Sequence, residues 1–200
     1  MAVKKELLDA IKKQRASSGK KEKFEGNLLD YVELVQKNPD IAKLAHKRLH
    51  DAIMKHGAEK MPDSDPRKHK IFDGDSIQVY DYFKSEFFGM ERVISKVMRY
   101  LKSASLKGEE SKQVILLMGP VGAGKSALTE HIKAALEGET YYHIKGDPQR
   151  GDPLQAIPRS LREKFSNVLG VSIEGDISPI ARHHLLEKLD GKYENFEVVE

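Results

Sequence analysis

The stretch "GPVGAGKS", Gly119 to Ser126, satisfies the pattern G-x-x-x-x-G-K-[ST], the Walker A signature of a phosphate-binding loop. Each fixed position has a chemical task. Gly119, Gly122 and Gly124 let the backbone turn its N–H groups inward around phosphate oxygens, with Pro120, Val121 and Ala123 at the variable positions. The helix that follows, entered through Ala127, aims its positive end at the same place. Lys125 reaches the β- and γ-phosphates, and the Ser126 hydroxyl holds Mg²⁺. The implied cofactors are ATP and Mg²⁺. The plainer alternative is a glycine-rich turn that only links a strand to a helix.

Binding a nucleotide does not choose a reaction. Hydrolysis also needs a second-strand carboxylate near the metal, a residue that orients water, and often an arginine finger worth roughly 10³ to 10⁵ in rate. "YYHIKGD" ends at Asp147 and "FEVVE" at Glu200, yet neither is four apolar residues followed by paired acids. The catalytic carboxylate is therefore unassigned, with Asp147 a weak candidate. Only 74 residues follow Ser126, which reads as the N-terminal part of a longer protein.

Lesser candidates have plainer readings beside them. His46 and His50 lie four apart on an expected helix but lack a third ligand nearby, and adjacent His183 and His184 point to different helix faces. Asp147 and Asp152 sit in a proline- and glycine-rich loop, where turn-forming hydrogen bonds compete with a metal or substrate role. Arg150, Arg159 and Arg162 could meet a neighbouring subunit's nucleotide in a ring, or simply be solvated.

The elements that must position the loop can be read from periodicity. Val114 to Met118 is a continuous apolar run, as expected for a parallel strand covered on both faces. Lys125 to Leu136 reads as a helix with Leu128, Ile132, Ala135 and Leu136 facing a sheet, and Thr140 to Ile144 as a second strand. Upstream, Met90 to Leu101 carries Val93, Ile94, Val97, Met98 and Leu101 on one helical face. A short helix from Leu28 should stop at Asn38-Pro39, and a second should run over Ile41 to Ile53 with Gly57 as its stop. Residues 57 to 76 read as a connector without period. Helices should begin at Pro158 and at Pro179 after Ser178.

The expected fold is thus α/β: a P-loop NTPase core with an incomplete parallel sheet, preceded by a helical lead-in. The divisions are a basic segment 1–23, a lead-in and connector 24–76, and the start of the nucleotide-binding domain 77–200.

Composition bounds the partners. The chain is 39% hydrophobic and 32% charged, with a formal net charge of +3 and no cysteine. Disulfides, thiolate zinc sites and cysteine nucleophiles are excluded. Residues 1–23 hold eight Lys/Arg against three Asp/Glu, so the basic character is local. No aromatic residue interleaves those charges before Phe24, which argues for a solvated tail rather than a nucleic-acid contact. The longest apolar run and the lack of an apolar leader argue against a membrane and for the cytoplasm.

Four separated stretches together resemble the PrkA family of bacterial serine protein kinases, in its N-terminal AAA-type ATPase domain: "FEGNLLDYVELVQKNPDIAKLAHKRL", "FFGMERVISKV", "LLMGPVGAGKS" and "IKGDPQRGDPLQAIP". "IEGDISP" matches more loosely. The resemblance implies an AAA fold binding ATP and Mg²⁺, with Phe88 and Gly89, beside Met90 and Glu91, bordering the adenine. It departs where the family tends to have cysteines: Asp147, Ile177 and Ile180 stand around those places. Ala123 also replaces what is often a glycine. "FDG" at Phe72 is not D-F-G and "RLHD" at Arg48 is not H-R-D, so eukaryotic-type kinase machinery is missing.

Two readings from different classes follow. One is the ATP-binding AAA domain of a PrkA-type kinase, coupled to phosphorylation or remodelling of protein partners, with homo-oligomers formed through that domain. The other is a nucleotide-controlled binding or assembly module without turnover. A small-molecule P-loop kinase ranks last, because a lead of more than a hundred residues precedes the loop.

Overall fold

The computed structural model of the chain describes residues 23–200. The basic N-terminal segment, bar Lys23, lies outside these. The described chain divides into two compact units, one of residues up to Ala42 together with Tyr141–Glu200, the other Lys43–Thr140.

The first unit opens with strand β1 (Glu25–Asn27) and helix α1 (Leu28–Lys37). Asn27 starts α1 with a reciprocal cap. Its side chain accepts from the Asp30 N–H at 3.0 Å, and the Asp30 carboxylate accepts from the Asn27 N–H at 2.8 Å. The helix ends before Asn38-Pro39, as proline chemistry requires. Leu28, Tyr31 and Val35, spaced three and four apart, are its buried stripe.

Within the same unit lie β4 (His143–Ile144), helix α6 (Arg159–Leu169), helix α7 (Pro179–Glu187) and β5 (Glu197–Val199). Pro158 precedes α6, and Ser178 caps α7 by accepting from the Ala181 N–H at 2.9 Å. Both starts fall where Ser and Pro placed them. Strand β5 is central, paired antiparallel with β1 and with β4. Phe196 and Val198 seal this sheet against Tyr31, Val35, Ile144 and Leu154.

The second unit contains α2 (Ala45–Met54), β2 (Ala58–Lys60), α3 (Pro66–Lys70), β3 (Gln78–Tyr80), α4 (Glu91–Ser105) and α5 (Lys125–Ala134). On α4, Ile94, Val97, Met98, Leu101 and Ala104 recur at helical spacing and are buried. The chain then turns left-handed at Lys107 (φ 63°), and the Gly108 N–H bonds back to the Ser103 carbonyl at 2.9 Å. Ile53, Phe83 and Leu128 complete that core, so α5 is anchored through Leu128. Burying one leucine stabilises by about 1.5–3 kcal/mol.

Five expectations are corrected. Both sheets are antiparallel, and no parallel core forms among the described residues. Val114 to Met118 makes no strand pair among the described residues, and Val114, Leu116 and Met118 are 91%, 76% and 84% exposed. Such a run becomes a covered strand only where neighbours flank it, and the described residues provide none. Thr140 to Ile144 shortens to His143–Ile144, because β5 pairs with only those two positions. The connector 57–76 is partly ordered: Ala58–Lys60 pairs with Gln78–Tyr80, and Asp65 caps α3. The second lead-in helix starts at Ala45, with a tighter turn over Pro39–Ala42 before it.

Candidate functional site

The glycine loop feeds directly into α5. Gly122 (φ 82°) and Gly124 (φ 75°) both adopt the left-handed conformation, and Gly124 stands immediately before the first helical residue, Lys125. A side chain at either would strain the backbone by about 1–2 kcal/mol. Among the described residues the non-glycine positions with positive φ are Asp73, Lys107, Arg150 and Asp190, so Ala123 turns without that strain. Its N–H bonds to the Pro120 carbonyl at 3.4 Å, and the Gly124 carbonyl accepts from the Leu128 N–H at 2.9 Å.

The Lys125 ammonium folds back over the loop and donates to the Gly119 carbonyl at 2.8 Å and the Pro120 carbonyl at 2.6 Å. Val121, at the loop tip, is fully exposed, and Ser126 and Ala127 are exposed on the first helical turn. A cation above a turn of backbone donors at a helix N-terminus is an arrangement able to take an anion.

Two contacts that the sequence did not suggest fix α5. Tyr82 Oη donates to the His131 carbonyl at 2.7 Å, and His131 Nε2 lies 3.0 Å from the Tyr82 carbonyl, with the two rings 4.5 Å apart. Residues 81–83 and α5 are thereby clasped. Met90 lies on the other side: a Cβ added to Gly124 would sit 3.4 Å from Met90 Sδ. The "FFGME" element thus borders the loop through Met90. An aromatic cluster and a Gly-x-Glu signal pointed to this region, but not to the methionine.

Phe88 and Gly89 stand beside that contact. Phe88 is 78% exposed, and its ring lies 5.5 Å from the Arg67 guanidinium. Gly89 has φ 75° with open space where a Cβ would be. Glu91 is buried, with Oε1 accepting from Arg67 at 2.7 Å and Oε2 without a hydrogen-bond partner among the described residues. Arg67 also grips Asp65 through Nη2 at 2.7 Å, and this hydrogen bond lowers the Asp65 pKa and raises that of Arg67. Arg67 lies in a segment without periodicity, so nothing in the sequence singled it out. Phe83, Phe87, Phe88 and Glu91 line a cavity of about 90 Å³ there.

The other candidates prove to be tied down. Asp147, in the first unit, is buried, and its carboxylate accepts from the Gln149 N–H (3.1 Å), the Gly151 N–H (3.2 Å) and Ser178 Oγ (2.7 Å). Asp152 accepts from the Leu154 N–H at 2.8 Å and caps the short turn after it. Glu200 accepts from the Phe24 N–H at 3.3 Å. Arg162 donates to the carbonyls of Ile157, Gln155 and Gly175 at 2.6–2.9 Å, and Arg159 pairs with Asp176, its Nε at 3.1 Å. The arginines hold the Asp176 pKa below its ordinary value, Arg159 foremost. Arg150 reaches the Tyr141 hydroxyl at 3.3 Å. His46 Nε2 is buried without a hydrogen-bond partner among the described residues, His50 Nδ1 lies 3.4 Å from Asp51, and the His184 ring packs 6.3 Å from Phe196. No group of three or more metal-ligating side chains occurs among the described residues. Nor is any helix among them long and apolar enough to cross a membrane.

The profile described as the PrkA AAA domain matches residues 26–200, a range that includes the glycine loop and the "FFGME" element. The chain belongs to that family. It is 34% identical over 200 residues to the "ATP-dependent protease PrkA" of Bacillus subtilis (strain 168), covering 96% of this chain and 30% of that protein. It is also 34% identical over 140 residues to the "Serine/threonine kinase YeaG" of Escherichia coli (strain K12), covering 69% of this chain and 21% of the relative. A more distant likeness, 25% over 131 residues, covers 66% of this chain and 15% of the "Lon protease" of Clostridioides difficile (strain 630). The chain therefore spans less than a third of the length of each. No solved structure matches it.

Proposed function

We propose that this chain is the MgATP-holding part of a PrkA-type ATPase, coupling the nucleotide to phosphorylation or remodelling of protein partners in the cytoplasm. The observation that carries the reading is Lys125 poised over the left-handed Gly122–Gly124 turn at the start of α5. On binding, its ammonium exchanges two neutral carbonyl acceptors for β- and γ-phosphate oxygens, and charge-assisted hydrogen bonds are roughly twice as strong as neutral ones. Backbone N–H groups between Gly119 and Ala127, Pro120 having none, cradle the phosphates, and Phe88 and Gly89 border the adenine.

The exposed Ser126 hydroxyl fits Mg²⁺, a hard cation that takes one or two protein oxygens and fills its shell with water and phosphate. Bound there, Mg²⁺ would neutralise charge on the phosphates. The nucleotide site belongs to residues 77–200, led by 24–76, and assembly into homo-oligomers runs through that domain.

A second reading, nucleotide-controlled binding or assembly without turnover, is favoured by one observation. The carboxylates of Asp147 and Glu200 both accept hydrogen bonds from the chain around them, which leaves neither poised as a base. The names of the two PrkA-type relatives, a protease and a kinase, also differ in what the ATP would drive. Following the γ-phosphate of labelled ATP with Mg²⁺, beside Lys125→Ala, separates the readings. Free phosphate or phosphoprotein in the parent alone supports the enzyme, whereas label retained in bound ATP supports the switch. Equal ATP binding and equal phosphate release in both proteins would sink both readings.

A further inference from the structure

The outward face of α4 forms one wall of a second cavity, of about 600 Å³, away from the glycine loop. Arg92, Lys96 and Arg99 line that wall at i, i+4 and i+7. Lys60 faces them from β2, where it pairs in register with Gln78. Buried Ile77 and Tyr80 form the apolar part of the lining. Four cations therefore surround a concavity whose lining holds one carboxylate, Asp75.

Arg92 is aimed by its neighbours. Its Nη2 donates to the Phe72 carbonyl at 2.9 Å and to Asp75 at 3.1 Å, and the guanidinium lies 5.8 Å from the Phe72 ring. Its Nε is buried with no hydrogen-bond partner among the described residues. Lys60, Lys96 and Arg99 make no ion pair among those residues, although acidic side chains are common along the chain. Three like charges on one helix face cost helix stability, and solvation alone does not call for gathering a fourth from another element. Burial pushes the Tyr80 phenol up and Arg99 pulls it back, which places Arg99 close to that ring.

We propose that this cavity is a second anion site, and that its ligand is a small molecule carrying two or more phosphate groups. Concave clusters of one sign concentrate counter-ions, and a volume near 600 Å³ suits a small ligand. Arg92 and Arg99 are separated by roughly 10 Å along the helix, from a rise of about 1.5 Å per residue. One phosphate cannot reach both arginines, whereas two phosphates on one molecule can, one at the Arg99 fork and one near the Arg92 charge, with Lys96 between them. Ser76, Ser95 and Gln78 offer neutral hydrogen bonds for the rest of the ligand.

The test is calorimetric titration of tripolyphosphate into the chain carrying Lys125→Ala, which weakens the glycine loop, at constant ionic strength. Saturable binding is expected, at least tenfold weaker when Lys96→Glu and Arg99→Glu are added, and weakened also by Lys60→Ala on the opposite wall. Circular dichroism checks that these exposed changes leave the fold intact. Inorganic phosphate should bind at least tenfold more weakly than tripolyphosphate. Absence of saturable binding, or indifference to all three substitutions, overturns the proposal. So does a single-stranded RNA probe that binds the same residues more tightly than tripolyphosphate, since the face would then serve a nucleic acid.

Discussion

Met90 Sδ borders Gly124, where an added Cβ would meet it in van der Waals contact at 3.4 Å, while the same addition at Gly89 meets nothing within 4 Å. The two glycines share φ 75°. Gly89→Ala and Gly124→Ala should therefore each lose about 1–2 kcal/mol from backbone strain, because neither Cβ forces a neighbour to move. Urea unfolding of the two variants checks this, and a markedly larger loss for Gly124→Ala would show that Met90 presses on the loop.

Asp147 organises its own loop, accepting from the Gln149 and Gly151 N–H groups and from Ser178 Oγ. Replacing it by alanine leaves the Gln149 and Gly151 N–H groups and Ser178 Oγ without their acceptor, which should cost about 3 kcal/mol, from roughly 1–3 per buried unsatisfied group. Asp147→Asn keeps one acceptor and should cost less. Nucleotide binding at the glycine loop should change little in either variant. A loss of ATP turnover with unaltered stability and ATP affinity would favour a catalytic role for Asp147 instead.

His143 makes the stability pH-dependent. Burial disfavours its charged form and Arg150 repels it, against a partial pull from Asp147, so its folded pKa lies below the ordinary 6.5. Its Nδ1 is also buried without a partner among the described residues. Above pH 6.5 the contribution is fully present. As the pH falls toward the folded pKa, the unfolded chain takes up the proton more readily and stability drops. Urea midpoints between pH 7.5 and 5 should fall less steeply for His143→Gln than for the parent, and parallel slopes would dismiss this role.

Periodicity made α1, α4 and α5 legible, while Pro158 and the Ser178-Pro179 pair marked the starts of α6 and α7. The glycine loop was legible from its spacing. What failed was pairing: Val114 to Met118 is apolar enough for a covered strand, but pairing depends on neighbours far along the chain, and a local pattern does not reveal whether they are there. Lys60 opposite Gln78 was missed for the same reason, since three-residue strands carry too short a pattern to detect. At the site, the motif named the loop residues, but not Met90, Arg67 or the Tyr82–His131 clasp. Those are tertiary contacts between residues without distinctive spacing.

The unpaired run gives its own prediction. The N–H groups of residues 114–118 make no backbone hydrogen bond among the described residues, whereas those of 94–101 lie in α4. In hydrogen exchange the first segment should exchange faster by roughly two orders of magnitude or more. Protection of residues 114–118 in the isolated chain would reveal a strand partner supplied by another copy.

Whether Lys125 and its loop hold MgATP is decided by equilibrium calorimetry of MgATP with the parent chain and with Lys125→Ala. One ATP should bind per chain, with affinity at least tenfold weaker in the variant while its unfolding midpoint is unchanged. Equal affinities in the two proteins, or no binding to the folded parent, would contradict the MgATP assignment.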